Sequence, residues 1–269
     1  MKEFIFKNPF IENEEILSKK EDNVDDGGTI NPSKQGLNGD CWLLSGINAL
    51  SYSKTGQNLI KQAIKKNNDG SFDIYLKGIE RNYHISEEKI KQLENNPFYS
   101  KGDIKILLFE IAIEELRNDL YKNKTDENIN IPYYAKYTNR DFFCFKRTSG
   151  GFAAQVFYLL SKKPVFFAET ADQINLYIGL FKKYCDESAM AIAFYEENDP
   201  ETFPIKDKNN NKVKIYTNHE YAVKDINYDN ITIVNPHDSS IEMTISVFLV
   251  LFLKGYITYC YLGEDFPKI

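Results

Sequence analysis

The sequence predicts an α+β protein built in two parts, a helix-rich N-terminal lobe followed by a β-rich C-terminal lobe. Three observations carry that prediction. Helical periodicity dominates Cys41–Leu50 and the stretch from Asp103 to about Leu120. Short β-patterned segments crowd the chain after Ala189, and the pattern changes at the Gly150-Gly151 pair. The expected organisation is an irregular lead-in over 1–34, a helical lobe over 35–150 and a β-rich lobe over 151–269.

Taken in order, Asp40 opens the first helix, with Trp42, Leu43, Ile47 and Leu50 on one stripe. A second helix is expected from Asn58 to Lys65. Asn67-Asn-Asp-Gly70 signals a turn, and Phe72–Leu76 with Asn82–Ser86 reads as a strand pair. Gly102-Asp103 starts a long helix whose apolar face is Ile104, Leu107, Leu108, Ile111 and Ala112. Beyond the glycine pair, helices are expected around Phe152–Ser161 and Asp172–Lys183. Strands are expected at Pro164–Ala168, Ala189–Tyr195, Val213–Thr217, Tyr221–Asn227, Ile231–Val234 and Tyr256–Leu262.

Composition narrows the function classes. The 269 residues are 42% hydrophobic and 14% aromatic, enough for a sizeable core and too apolar for disorder. The net charge is −6 and only four residues are arginine, Arg81, Arg117, Arg140 and Arg147, which argues against a nucleic-acid partner. Cys41, Cys144, Cys185 and Cys260 are scattered, with no metal-ligand spacing, so neither a metal nor another cofactor is expected. The longest apolar run, Val247–Leu253, is far short of the ~20 residues of a membrane span and is expected to be buried, so no membrane partner is expected. The N-terminus carries no signal-peptide pattern, which predicts a cytoplasmic protein unless a dedicated system exports it.

Imidazole chemistry has only His84, His219 and His237 to draw on. Gln35-Gly-Leu-Asn-Gly-Asp-Cys41-Trp-Leu-Leu44 is the most informative segment. Its glycines allow a tight turn, and Cys41 falls in the first turn of a helix, where unpaired N–H groups favour a thiolate. Gln35, across the loop, can place an amide donor beside the sulfur, and one oxyanion donor is worth roughly 3–4 kcal/mol of barrier.

The second segment runs from Asn218-His219-Glu-Tyr-Ala-Val223 to Asn235-Pro236-His237. It reads as a hairpin turning at Asn227–Asn230, with His219 at the start of one strand and Asn235 at the end of the other. Asn235 can then hold one imidazole nitrogen while the other faces a thiol, the arrangement of nucleophile, base and orienting group. His84 reads as structural, Cys144 and Cys260 as core or strand residues, and Cys185 as unactivated.

Gln35-Gly-x-x-Gly-Asp-Cys-Trp-Leu-Leu44 resembles the active-site segment of calpains, members of the papain-like cysteine peptidases. His219-Glu-Tyr-Ala-Val resembles their His-Ala-Tyr-Ser-Val, and Asn235-Pro236 their Asn-Pro-Trp. Ser149-Gly150-Gly151 resembles the stretch at their lobe junction, and Met243–Ser246 through Cys260 their closing helix and terminal strand. The resemblance implies a papain-like two-lobe fold with the active site in the intervening cleft. It implies a cysteine endopeptidase acting on protein or peptide substrates, with Cys41 as nucleophile, His219 as base and acid, Asn235 as orienting residue and Gln35 as oxyanion donor. Gly150 and Gly151 are implied to bind substrate backbone, with Trp42 packed beneath the helix.

Two departures stand out. His237 occupies the place of the family tryptophan, and the acidic loop that supplies calcium ligands is essentially missing, so calcium-independent activity is expected. Two alternatives stay open: a thiol deamidase, transglutaminase or ubiquitin-directed hydrolase on the same scaffold, and an inactive interaction module.

Overall fold

The structure is a computed structural model that describes residues 28–122, 151–194, 202–206, 211–228 and 230–266. It mixes helix and strand. Helix α1 (Cys41–Ser51) is buried from Trp42 to Ser51, so the whole helix, and not only its expected stripe, is enclosed. Helix α2 (Lys54–Gln62) starts four residues earlier than expected because the Ser53 hydroxyl accepts the Gly56 N–H as an N-cap. Its expected C-terminal end is instead strand β1 (Ile64–Lys66), where Ile64 faces Ile74.

Strands β2 (Phe72–Leu76) and β3 (Arg81–Ile85) pair antiparallel and complete a three-stranded sheet. Helix α3 (Glu87–Glu94) has no counterpart in the sequence reading. Ser86 caps it and Glu87 and Glu88 suit its positive end. Helix α4 (Ile104–Lys122) is buried on all sides from Ile106 to Ile113, where a single apolar face was expected.

After α5 (Ala153–Ser161), β4 (Val165–Ala168) and α6 (Ala171–Lys183), the chain enters strand β5 (Ser188–Phe194). A two-stranded ribbon, β6 (Thr202–Lys206) with β7 (Lys212–Tyr216), precedes β8 (His219–Asn227), β9 (Asn230–Asn235) and β10 (Asp238–Ser246). Helix α7 (Val247–Phe252) and strand β11 (Tyr256–Tyr261) follow. The main sheet is antiparallel, in the order β10-β9-β8-β5-β11-β4.

Strand alternation divides the core at this sheet. Ala189, Ala191, Ala222 and Cys260 face the cluster containing α1, α2, α4 and α5, and such small residues let α1 approach β5 and β8 closely. Met190, Ile192, Phe194, Tyr221, Val223, Ile257 and Tyr259 face the other way, into a cluster with α6 and the turn of α7.

The end of the chain departs from expectation. Met243–Ser246 belongs to strand β10, paired with Asn230 to Ile233 of β9, and the helix begins only at Val247. The run Val247–Leu253 is not buried throughout. Phe248 and Phe252 are 73% and 68% exposed, because a single helical turn over a sheet hides only one side, here Val250 and Leu253.

Candidate active site

The turn that delivers Cys41 is built on close backbone contact. Gly36 lies against the 97–99 segment so tightly that a Cβ there would stand 2.4 Å from the Phe98 carbonyl oxygen, so no other residue fits. Leu37 and Asn38 donate backbone hydrogen bonds to the carbonyls of Pro97 and Phe98, at 2.9 and 3.2 Å. Cys41 follows as the first residue of α1, and its sulfur meets the backbone N–H of Glu220, the residue after His219. Cys41 and the histidine strand are thereby brought together. Burial pushes the thiol up to about 12, against the pull of the Glu220 and Trp42 N–H groups, while the nearby Glu220 and Asp40 carboxyls add to the rise.

His219 starts β8 directly after Asn218, whose positive φ of 52° makes the sharp entry that Asn tolerates. Its Nε2 lies 3.0 Å from Asn235 Oδ1. The same oxygen accepts the backbone N–H of His237 at 3.0 Å, which fixes it as the carbonyl end of the amide. Nε2 must therefore carry the proton, and the neutral ring keeps its lone pair on Nδ1. Burial lowers the His219 pKa to about 4, with His237 adding to the fall and the Asn235 bond opposing it. At neutral pH the site thus holds a neutral thiol and a neutral imidazole.

His237 stacks on His219, with centroids 4.6 Å apart and planes 5° from parallel. It covers one face of the imidazole, and Tyr221 meets the ring edge-on at 4.8 Å. The His237 pKa is itself lowered, first by burial of its inner side and then by Lys34.

Gln35 joins the two segments, since its backbone N–H donates to the Pro236 carbonyl at 2.6 Å. Its side-chain amide donates to the Asn38 carbonyl at 2.5 Å and also bonds Asp40, so it is turned into its own loop. Gly151 sits on the face of Trp42, where a Cβ would come within 2.5 Å of the indole. Gly150, Ser149 and Cys144 lie outside the described residues. His84 pairs with Asp73 across β2 and β3 at 2.7 Å on the surface, Cys260 is fully buried in β11, and Cys185 is exposed.

Four further residues at the site were given no role there by the sequence. Glu220, beside His219, is 3% exposed and caps α5 through the Ala153 N–H at 2.9 Å; burial raises its pKa to about 8. Asp40, Glu110 and Arg117 form a buried cluster beside Cys41, and the Arg117 guanidinium lies 4.6 Å from the Trp42 ring centre. The signal available in the sequence was a lone charge inside an apolar run, as Glu110 is within Ile106–Ile113. A buried charge needs a partner.

No family model matches the sequence, and no curated protein matches it significantly. Among the described residues no group of three His, Cys, Asp or Glu side chains could hold a metal ion, and no helix is long and apolar enough to cross a membrane.

Proposed function

We propose that this chain is a papain-like, calpain-related cysteine endopeptidase whose triad is Cys41, His219 and Asn235, with two lobes meeting at the nucleophile. The observation that carries the reading is the Asn235–His219 bond, which leaves the Nδ1 lone pair as base on the strand against which the Cys41 sulfur lies. His219 Nδ1 takes the thiol proton as the sulfur bonds to the carbonyl carbon of a peptide. The Cys41 backbone N–H, unpaired at the helix start, stabilises the oxyanion, joined by Gln35 once its amide turns from Asn38. His219 then gives its proton to the leaving amine, the C–N bond breaks, and water, deprotonated by His219, releases the acid and restores the thiol.

Because thiol and imidazole are both neutral at rest, the thiolate forms during attack and is not stored. The reading includes protein or peptide substrates, calcium-independent turnover, a cytoplasmic setting and substrate backbone running past Gly151. It is tested by incubating the purified protein with a library of unstructured peptides and reading the products by mass. New peptide termini, absent with Cys41→Ala, are expected. A one-dalton gain at glutamine without cleavage would replace peptidase by deamidase, and unchanged peptides would end the proposal.

A further inference from the structure

The Gln35–Cys41 turn is held along its length by the segment leading into α4. Lys34 and Lys101 exchange backbone hydrogen bonds of 2.9 and 2.8 Å, and the Leu37 and Asn38 bonds continue the contact. What the backbone does not hold is the end of the turn, where Asp40 precedes the nucleophile. There the contact passes to side chains. The Asp40 carboxyl hydrogen-bonds the carboxyl of Glu110 in the middle of α4, and both residues are 0% exposed. Glu110 Oε2 also accepts the Ser100 N–H at 2.8 Å, so one side chain grips α4, the 97–101 segment and the turn.

Carboxylates only accept hydrogen bonds, so a carboxyl–carboxyl bond requires a proton between the two groups. The charge balance agrees. The titratable groups facing Asp40 include Glu110 and Arg117 from α4 and the Cys41 thiol on its own helix; Gln35, Asn38 and Ser100 contribute neutral polar groups. Arg117, 1% exposed, is lowered by burial only to about 10 and stays cationic at neutral pH. An acid pair holding one proton beside one guanidinium is electroneutral, which burial favours.

We propose that Glu110 is a positioning residue for the nucleophile: through a proton shared with Asp40 it clamps the Gln35–Cys41 turn to α4 and fixes the sulfur against β8. The proposal rests on the reading of Cys41 as nucleophile and adds to that site the device that aims it. Losing the shared proton as pH rises leaves two carboxylates in contact and releases the turn. Both carboxyls titrate above their ordinary values in the folded protein, so the stability they confer is complete at acid pH and is lost as pH rises from the ordinary carboxylate range through the raised one.

The test compares Glu110→Gln with Glu110→Ala, following kcat, KM and melting temperature from acid to alkaline pH. Glutamine keeps both bonds without a shared proton, donating to Asp40 and accepting from Ser100. Glu110→Ala should lose about tenfold or more in kcat with KM within about threefold, an effect of misaligned geometry. Glu110→Gln should stay within about threefold of the wild type and flatten the fall with rising pH in both activity and melting temperature. Glu220 also loses its proton as pH rises, near 8, so the same pair is measured again with Glu220→Gln in place. Glutamine failing as badly as alanine, or wild type and Glu110→Gln sharing one alkaline profile, overturns the proposal. If the wild type cleaves no peptide, the functional reading fails on its own. The melting profiles still decide the clamp: a flatter profile for Glu110→Gln supports it, and parallel profiles refute it.

Discussion

Cys41 and Cys260 carry thiols that burial raises alike, both to about 12, yet their surroundings differ at every polar contact. Cys260 lies within β11 between Ala189 and Val165 on its neighbouring strands, fully buried, with its sulfur toward the Pro164 carbonyl at 3.5 Å. Cys41 is only partly buried, starts a helix, and faces the Glu220 N–H on the strand that opens with His219 and the Trp42 N–H of its own helix. If Cys41 is the nucleophile proposed above, a protonated thiol is no mark of inertness. What separates the two is whether a base with a free lone pair stands nearby and whether a substrate can reach the sulfur.

The largest effect should come from exchanging the two. Cys41→Ala is expected to abolish peptide hydrolysis, a fall of about a thousandfold or more, with little change in melting. Cys260→Ala should keep turnover while losing about 1–2 kcal/mol of stability to the cavity it leaves in the core. Activity surviving Cys41→Ala would reverse the comparison.

Glu220→Gln probes the electrostatics on the Cys41 side alone. The Glu220 carboxyl ionises near 8, and its charge then opposes the thiolate. Below that pH the variant should alkylate at Cys41 at the wild-type rate with a neutral reagent. Above it, the variant should react about three- to tenfold faster, as read from the Cys41 peptide by mass. Its folded pKa exceeds the ordinary 4.5, so the wild type loses stability as pH climbs from that value to about 8. The variant should lack that slope, which melting curves across the range will show.

The smallest effect is expected at His237. His237→Ala removes both the stacked cover and a neighbouring cation, and each change lets His219 protonate more readily. The acid limb of kcat/KM, set by His219 near 4, should move upward by less than about one unit. A downward shift would mean that His237 supports the imidazolium instead of opposing it.

These contrasts also mark what the sequence could disclose. The segments around Cys41, His219 and Asn235 were legible because each is local: a glycine turn before a helix, and a hairpin whose ends must meet. The order of helices and most strands was legible for the same reason. Helix α3 escaped because it is short and polar, and β10, although Ile241-Glu-Met-Thr-Ile-Ser246 alternates, because the resemblance assigns Met243–Ser246 to a helix. The exposed faces of Phe248 and Phe252 depend on what packs over α7, which apolarity alone cannot show. The Asp40–Glu110–Arg117 cluster joins residues some 70 positions apart, and no local pattern encodes their meeting. Gln35 had the right neighbourhood, but the direction of its amide is set by competing acceptors within its own loop.

The central claim is that Cys41 is a nucleophile served by His219, and covalent labelling tests it most directly. The folded protein, kept reduced, is treated with an irreversible epoxysuccinyl probe of thiol peptidases and the modified residue is located by mass. The account predicts one probe on Cys41, none on Cys185 or Cys260, and none at all after Cys41→Ala. A folded wild-type protein that stays unlabelled, or one labelled equally at its other cysteines, would contradict it.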